Sequence, residues 1–195
     1  MLRPRPLHGA QPMTARRATK RRREAGFTLL DMMFVVALVG LLMTLAIPGL
    51  MRARGAAQAA SAIGTMRTIN SAQLSYAITC GLGFYAPDLP TLGMMPPSAN
   101  EAFLGADMTS GPMFTKSGYN FSLAGTPLAG APATCNGLGA GAAAPGYALV
   151  ADSLDSVQNN RFFGSNADGV LYEHTASLAA SMPESGPPPA GAPIK

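Results

Sequence analysis

The longest apolar stretch of the chain lies near its N-terminus. Residues 27–50 read FTLLDMMFVVALVGLLMTLAIPGL and contain a single charged residue, Asp31. A helix of this length extends about 36 Å at 1.5 Å per residue, which exceeds the roughly 30 Å hydrocarbon core of a bilayer. The pattern therefore predicts a transmembrane helix over residues 27–50.

The helical pattern continues beyond this stretch with a different distribution of polar residues. Over residues 51–80, an alanine-rich sequence places candidate core residues at spacings of three and four, which is typical of an amphipathic helix with one packed face. We expect residues 27–80 to form one helix. Pro48 removes one backbone hydrogen bond inside it, so we predict a kink or a locally melted turn there. The predicted packed positions are Ala59, Ile63, Met66, Asn70, Gln73 and Ala77.

Later in the chain the apolar period changes from that of a helix to that of strands. Short runs with alternating apolar residues predict an antiparallel sheet of three or four strands. The runs are residues 119–123, residues 147–151, the neighbourhood of Phe162 and residues 170–172. Asp168-Gly169, between the last two runs, favours a tight turn. The predicted fold class is α+β, with a long N-terminal helix whose second half packs against a small antiparallel sheet.

The other segments are rich in glycine and proline. Residues 81–117 are expected to be a loop with one short helix near residues 100–104, and residues 124–146 a low-complexity loop. We expect residues 81–175 to form a globular head. The final segment, residues 176–195, contains five prolines and is expected to be a disordered tail.

Positive charge is concentrated at the N-terminus. Eight of the 14 lysine and arginine residues precede Phe27, whereas residues 27–195 carry six basic and nine acidic side chains, a net charge of −3. The body of the protein is therefore not expected to bind nucleic acid, because binding to phosphates requires a basic surface. A basic segment before an apolar span is retained on the cytoplasmic side, so we expect residues 1–26 to be cytoplasmic and the head to lie across the membrane.

The two cysteines, Cys80 and Cys135, do not form a C-x-x-C motif, which argues against a redox-active pair or a zinc cluster. They would either form a disulfide or remain two buried thiols, and an exported head favours the disulfide. Closing a loop of about 55 residues contributes about 4 kcal/mol to stability in the chain-entropy model.

Signatures of catalysis and metal binding are missing from the sequence. It contains no G-x-S-x-G, H-E-x-x-H or Walker motif, and His174 is the only histidine after residue 26. Asp152, Asp155 and Asp168 do not have the spacing of a calcium loop. We therefore expect no enzymatic activity, no cofactor and no metal site.

The junction of the basic segment and the apolar stretch carries the most specific motif in the chain. Its residues, Arg23-Glu24-Ala25-Gly26-Phe27-Thr28-Leu29-Leu30-Asp31, resemble the N-terminal motif of type IV pilins and type II secretion pseudopilins. The resemblance covers residues 23 to about 54. It implies a pilin-like fold and a structural subunit that polymerises into a filament. Aspartate stands at position 31 where the family usually has glutamate, and the leader is longer than in many members.

The resemblance implies a role for individual residues. Prepilin peptidase would cleave after Gly26, and Phe27 would become the N-methylated N-terminus. Asp31 would pair with the α-amino group of a neighbouring subunit and set the register of assembly. A carboxylate at the membrane centre costs roughly 2.5–3.5 kcal/mol, so it requires such a compensating partner. Pro48 would mark a weakened part of the helix that is used in assembly.

The resemblance also implies partners and a location. The partners would be copies of the chain itself, sibling pilins, the prepilin peptidase, an inner-membrane platform protein and an assembly ATPase. The chain would reside in the inner membrane with a periplasmic head before assembly, and in a periplasmic pseudopilus or a surface pilus afterwards. Major pilins, minor pilins and pseudopilins share the motif, so it does not distinguish among them.

An alternative interpretation is a monomeric membrane-tethered or Sec-exported binding protein with no filament role. A secretory signal ends in small residues after an apolar region of about 7–15 residues, and Ala57, Ala59 and Ala60 are small residues of that kind. The apolar stretch of this chain is longer, and Asp31 interrupts its start. These two features favour the pilin-like interpretation.

Overall fold

The computed structural model describes residues 27–157 and 159–194, so the predicted leader and Gly26 lie outside the described residues. The chain divides into two compact units, with the boundary between Met43 and Thr44. The helices are α1 (Leu29–Thr79), α2 (Leu89–Gly93) and α3 (Ala106–Thr109). The strands are β1 (Met113–Lys116), β2 (Tyr119–Ala124), β3 (Ala148–Ser153), β4 (Phe162–Asn166), β5 (Leu171–His174) and β6 (Ala192–Pro193).

Helix α1 is 51 residues long and includes the predicted transmembrane stretch. By length and composition it is able to cross a membrane. The helix runs through Pro48 without interruption, so the predicted melted turn is wrong. The proline removes one backbone hydrogen bond, but the leucine and methionine residues near it are strong helix formers that sustain the other hydrogen bonds.

The predicted packed face of α1 is present in the second unit. Four of its six positions are buried, namely Ala59, Met66, Gln73 and Ala77, and the other two, Ile63 and Asn70, are half-buried. Met66, Ile69 and Tyr76 belong to the same hydrophobic cluster as Phe121 and Phe163 from the sheet. The predicted packing of the second half of the helix on a small sheet is therefore confirmed.

The sheet has six strands in the order β1 to β6, each antiparallel to the next. Strands β2 to β5 correspond to the predicted runs. The turn between β4 and β5 contains Gly169 at a φ of 73°, as Asp168-Gly169 predicted. Both edge strands were missed, because β1 exposes three of its four residues and β6 has only two residues. Neither has a readable alternation.

The connection between α1 and β2 contains more regular structure than predicted. Helix α2 begins after Asp88, whose carboxylate accepts a hydrogen bond from the Thr91 N–H at 2.9 Å. The predicted helix at residues 100–104 is wrong, since the helices lie on either side of that segment. Cys80 and Cys135 form a disulfide that links the end of α1 to the loop between β2 and β3.

Residues 176–194, here called the C-terminal segment, pack on the sheet, so the predicted disordered tail is wrong. Leu178 is fully buried and Met182 is nearly so, and both contact a cluster that contains Val150 and Tyr172. Leu149 and Ala151, on either side of Val150 in β3, belong instead to the hydrophobic cluster that contains Met66 of α1. Successive residues of a strand point to opposite faces of the sheet. The C-terminal segment therefore covers one face of the sheet, and α1 covers the other.

A glycine leaves room for this packing. Gly164 lies in β4, and a Cβ added to it would stand 2.8 Å from Met182 Sδ and 3.1 Å from Leu178 Cδ1. A side chain at position 164 would therefore require the Met182 and Leu178 side chains to move.

Candidate functional site

Residues 27–51, here called the apolar segment, are exposed at every position. A soluble monomer rarely exposes a contiguous apolar surface of more than a few hundred Å². An uncovered apolar surface of this kind marks contact with lipid or with another protein. Its most exposed large side chains, each at least 70% exposed, are Phe27, Leu29, Leu30, Val36 and Leu45.

The apolar segment begins with a reciprocal pair of caps formed by Thr28 and Asp31. The Asp31 N–H donates to Thr28 Oγ1 at 3.2 Å, and the Thr28 N–H donates to Asp31 Oδ2 at 3.2 Å. The Thr28 hydroxyl also donates to Asp31 Oδ2 at 2.8 Å. This is the arrangement of a capping box, which satisfies two N–H groups that the helix itself leaves without acceptors.

The cap gives Asp31 a role that the sequence interpretation missed. Its signal was nevertheless readable, because a threonine followed three residues later by an acid, just before an apolar run, is typical of a capping box. Cleavage after Gly26 would leave both capping residues in the chain. Capping uses the hydrogen bonds of Asp31, whereas pairing with another subunit would use its charge, so the two roles are separable by mutation.

The predicted site residues fall into two groups. Phe27 and Asp31 lie together at the exposed start of α1, and Pro48 lies near the other end of the apolar segment. Cys80 and Cys135 lie in the head, where their disulfide closes the C-terminal end of α1. Gly26 lies outside the described residues.

Polar side chains of α1 bind the head to the helix. Gln73 is fully buried, its Nε2 donates to the Ala86 carbonyl at 2.8 Å, and its Oε1 accepts from the Ala86 N–H at 2.9 Å. The sequence predicted Gln73 as a packed position but not these bonds, because Ala86 carries no polar side chain that would reveal them. These two hydrogen bonds hold the segment around Ala86, which follows α1, against the helix.

A second polar contact joins α1 to strand β4 and to Tyr147, the residue just before β3. Asn70 Nδ2 donates to Ser165 Oγ at 2.7 Å, and the Tyr147 hydroxyl donates to Asn70 Oδ1 at 3.1 Å. Burial raises the pKa of Tyr147 well above its usual value, so its hydroxyl stays neutral and able to donate. The half-buried Asn70 is thus a linking residue between helix and sheet.

The acidic residues considered as calcium ligands have separate hydrogen bonds in the head. Asp152 accepts from the Ser177 hydroxyl at 2.9 Å, Asp155 from the Val157 N–H at 3.1 Å and Asp168 from the Gly186 N–H at 2.7 Å. Within residues 27–157 and 159–194, no three histidine, cysteine, aspartate or glutamate side chains are grouped as a metal site would require.

Comparisons with known proteins add no family to these observations. A scan against family models, a search of curated proteins and a search of solved structures each gave no match to this chain.

Proposed function

We propose that this chain is the precursor of a pilin or pseudopilin subunit, which is cleaved after Gly26, N-methylated at Phe27 and polymerised into a type IV pilus-like filament. The observation that carries the proposal is the apolar segment, which is exposed over its whole length and continues as the same helix into a packed head. The motif at residues 23–31 adds the position of cleavage.

The physical argument concerns where an exposed apolar helix is stable. Its backbone hydrogen bonds are satisfied within the helix, so lipid can surround it without leaving polar groups unpaired. Packing against the same segment of other subunits would remove the same surface from water, so one surface would serve in the membrane and in the filament core. The partners would then be other copies of the chain and sibling pilins, with the prepilin peptidase, the platform protein and the ATPase acting on the membrane form.

The structure suggests a more specific role for Asp31 than the motif does. In the single chain its carboxylate caps the helix through Thr28. In a filament, the carboxylate would also pair with the α-amino group of Phe27 from a neighbouring subunit. Such a pair gains strength in a low dielectric, although desolvation of both charges offsets much of that gain.

Intact-mass measurement of the membrane fraction tests the processing step. The proposal expects a chain that begins at N-methylated Phe27 and has a disulfide between Cys80 and Cys135. A chain that begins at Met1 would support the membrane-tethered alternative, and a chain that begins near Ala60 would support the Sec-exported alternative. Either result would overturn the proposal.

Two matched variants test the role of Asp31 in assembly. Asp31→Asn removes the charge but keeps an oxygen that accepts the hydrogen bond from the Thr28 N–H, whereas Thr28→Ala weakens the cap and keeps the charge. We expect Asp31→Asn to be cleaved but absent from sheared filaments, and Thr28→Ala to be incorporated. Normal incorporation of Asp31→Asn would refute the charge-pairing role.

The abundance of the chain among sheared fibres separates the possible subclasses. A major pilin would dominate the released material, a minor pilin would be a trace component, and a pseudopilin would remain in the periplasm.

A further inference from the structure

A pocket of about 310 Å³ lies in the second unit, just beyond the apolar segment. One wall is the turn of α1 that contains Arg52, Gly55 and Ala56, and the other wall is the segment 159–161 before β4. None of the contacts described above for the head uses this pocket. Its lining includes the arginines Arg52 and Arg161, and arginine is a residue type suited to binding an anion.

The wall formed by residues 159–161 is held in place by hydrogen bonds. Asn159 is buried, and its Nδ2 donates to the Tyr119 hydroxyl at 2.9 Å and to the Gly55 carbonyl at 3.3 Å. The Tyr119 hydroxyl in turn donates to the Arg161 carbonyl at 3.0 Å. The pocket is therefore formed before any ligand arrives, which lowers the entropic cost of binding.

The two arginines of the pocket differ in their partners. Arg161 donates through Nε and Nη2 to both carboxylate oxygens of Glu173, at 2.5 and 2.8 Å, and lies over the ring of Phe163. That pair fixes the Arg161 guanidinium and neutralises much of its charge. Arg52 is exposed and has no ion-pair partner among the described residues. The pocket thus presents one positive charge, that of Arg52, for which residues 27–157 and 159–194 supply no ion-pair partner.

The position of Arg52 along the helix indicates the source of the anion. The 23 helical residues from Leu29 to Met51 extend about 35 Å, slightly more than the roughly 30 Å hydrocarbon core. Arg52 is the first charged residue after them, so it would lie at the level of the lipid headgroups when the segment spans a bilayer. Arginine binds phosphate through paired hydrogen bonds, and anionic lipids attract basic residues near the surface.

We infer that this pocket binds the phosphate headgroup of an anionic phospholipid while the chain resides in the membrane. The inference rests on the membrane-resident state in the proposed function and does not depend on polymerisation. Binding would keep the turn of α1 that contains Arg52 in contact with the lipid headgroups.

Native mass spectrometry of the full chain in detergent tests the inference. Phosphatidylglycerol and phosphatidylcholine are added separately at equal concentrations, and the fraction of chain that retains lipid is measured. The wild-type chain should retain phosphatidylglycerol in preference. Arg52→Gln should lower that retention about fivefold, as expected for one arginine near an anionic headgroup, and should leave the retention of phosphatidylcholine unchanged.

Arg54→Gln is the matched control, because it removes the same charge from an exposed position two residues along the same helix but does not line the pocket. It should lower retention of phosphatidylglycerol by less than about twofold. Equal losses of phosphatidylglycerol retention in Arg52→Gln and Arg54→Gln would overturn the inference of a binding pocket, since they would indicate a general attraction of the lipid to positive charge. Displacement of the lipid by inorganic phosphate at an equal concentration would overturn the assignment to a lipid.

The lipid measurement uses chain that has not assembled into filaments. Failure to retain phosphatidylglycerol would therefore reject the lipid pocket and leave the proposed filament function to its own test, the shearing of fibres.

Discussion

The apolar segment and the C-terminal segment, residues 176–194, differ from what their compositions suggest for a single chain. An apolar composition favours burial, and a composition rich in proline and glycine favours an exposed, irregular segment. Every residue of the apolar segment is exposed, whereas the proline-rich and glycine-rich C-terminal segment buries Leu178 and Met182 on the sheet. Hydropathy indicates which solvent a segment prefers. It does not indicate which other part of the chain the segment contacts.

Backbone hydrogen bonding explains how both arrangements are stable. A helix satisfies most of its own backbone groups, so the apolar segment needs no partner for them. An irregular segment must find acceptors and donors elsewhere. Asn166, which is fully buried, supplies some of them, since its Nδ2 donates to the carbonyls of Gly186 at 2.5 Å and Pro183 at 3.3 Å.

Replacing one leucine in each segment tests the comparison most strongly. Leu178→Ala should destabilise the head by about 3 kcal/mol, because it leaves a cavity in a fully packed site. Leu38→Ala, at a position that is 49% exposed, should change head stability by less than about 0.5 kcal/mol. Urea unfolding of the detergent-solubilised chain, followed by tyrosine fluorescence, measures both. Equal urea midpoints for Leu178→Ala and wild type would contradict the packing of the C-terminal segment on the sheet and support the prediction of a disordered tail.

Removing the amide of Asn166 tests whether polar contacts also hold the C-terminal segment. Asn166→Ala should cost about 2 kcal/mol of head stability, because the partly buried carbonyls of Pro183 and Gly186 lose their donor. The exposed Asn160 is the control, and Asn160→Ala should lie within about 0.5 kcal/mol of wild type. Amide hydrogen exchange of residues 184–186 should accelerate in Asn166→Ala alone. Unchanged exchange there would argue against the role of the amide.

Loss of the capping box should affect the apolar segment and leave the head unchanged. Thr28→Ala should cost about 1 kcal/mol at the start of α1, seen as faster amide exchange at Asp31, whose N–H donates to Thr28 Oγ1. The urea midpoint of the head should equal that of wild type, because the cap lies in the other unit. A shifted midpoint would show that the start of the helix and the head unfold together.

The smallest expected effect is a pH dependence of the head at Glu173. Hydrogen bonds from the Arg161 guanidinium hold the pKa of Glu173 below its ordinary value of 4.5. Because the folded-state pKa is depressed, the pair stabilises the head above the unfolded-state pKa, and this contribution disappears as the pH falls through the folded-state pKa. Both side chains are partly exposed, so solvent screens the pair.

Glu173→Gln should therefore reduce the decrease in urea midpoint between about pH 7 and about pH 3. Glu101→Gln, at an exposed position, should keep the decrease of wild type. Identical pH profiles for Glu173→Gln and wild type would contradict a stabilising role of the ion pair.

Local patterns along the chain were sufficient to predict helix α1, its buried face, strands β2 to β5 and the turn at Asp168-Gly169. Each of these depends on residues that are close in sequence, where the period of apolar positions or the freedom of glycine decides the conformation. The capping box of Thr28 and Asp31 belongs to the same local class and could have been predicted from its spacing.

Contacts between distant residues decided the features that the patterns missed. Strands β1 and β6 are edge strands without a readable period, since β1 exposes three of its four residues and β6 has only two residues. Each forms because a neighbouring strand is available to pair with it. Leu178 packs close to Gly164, fourteen positions earlier in the chain, where the absence of a side chain leaves it room. Segments that lack regular hydrogen bonds of their own take their structure from the surface they meet, and that surface exists only in the folded head.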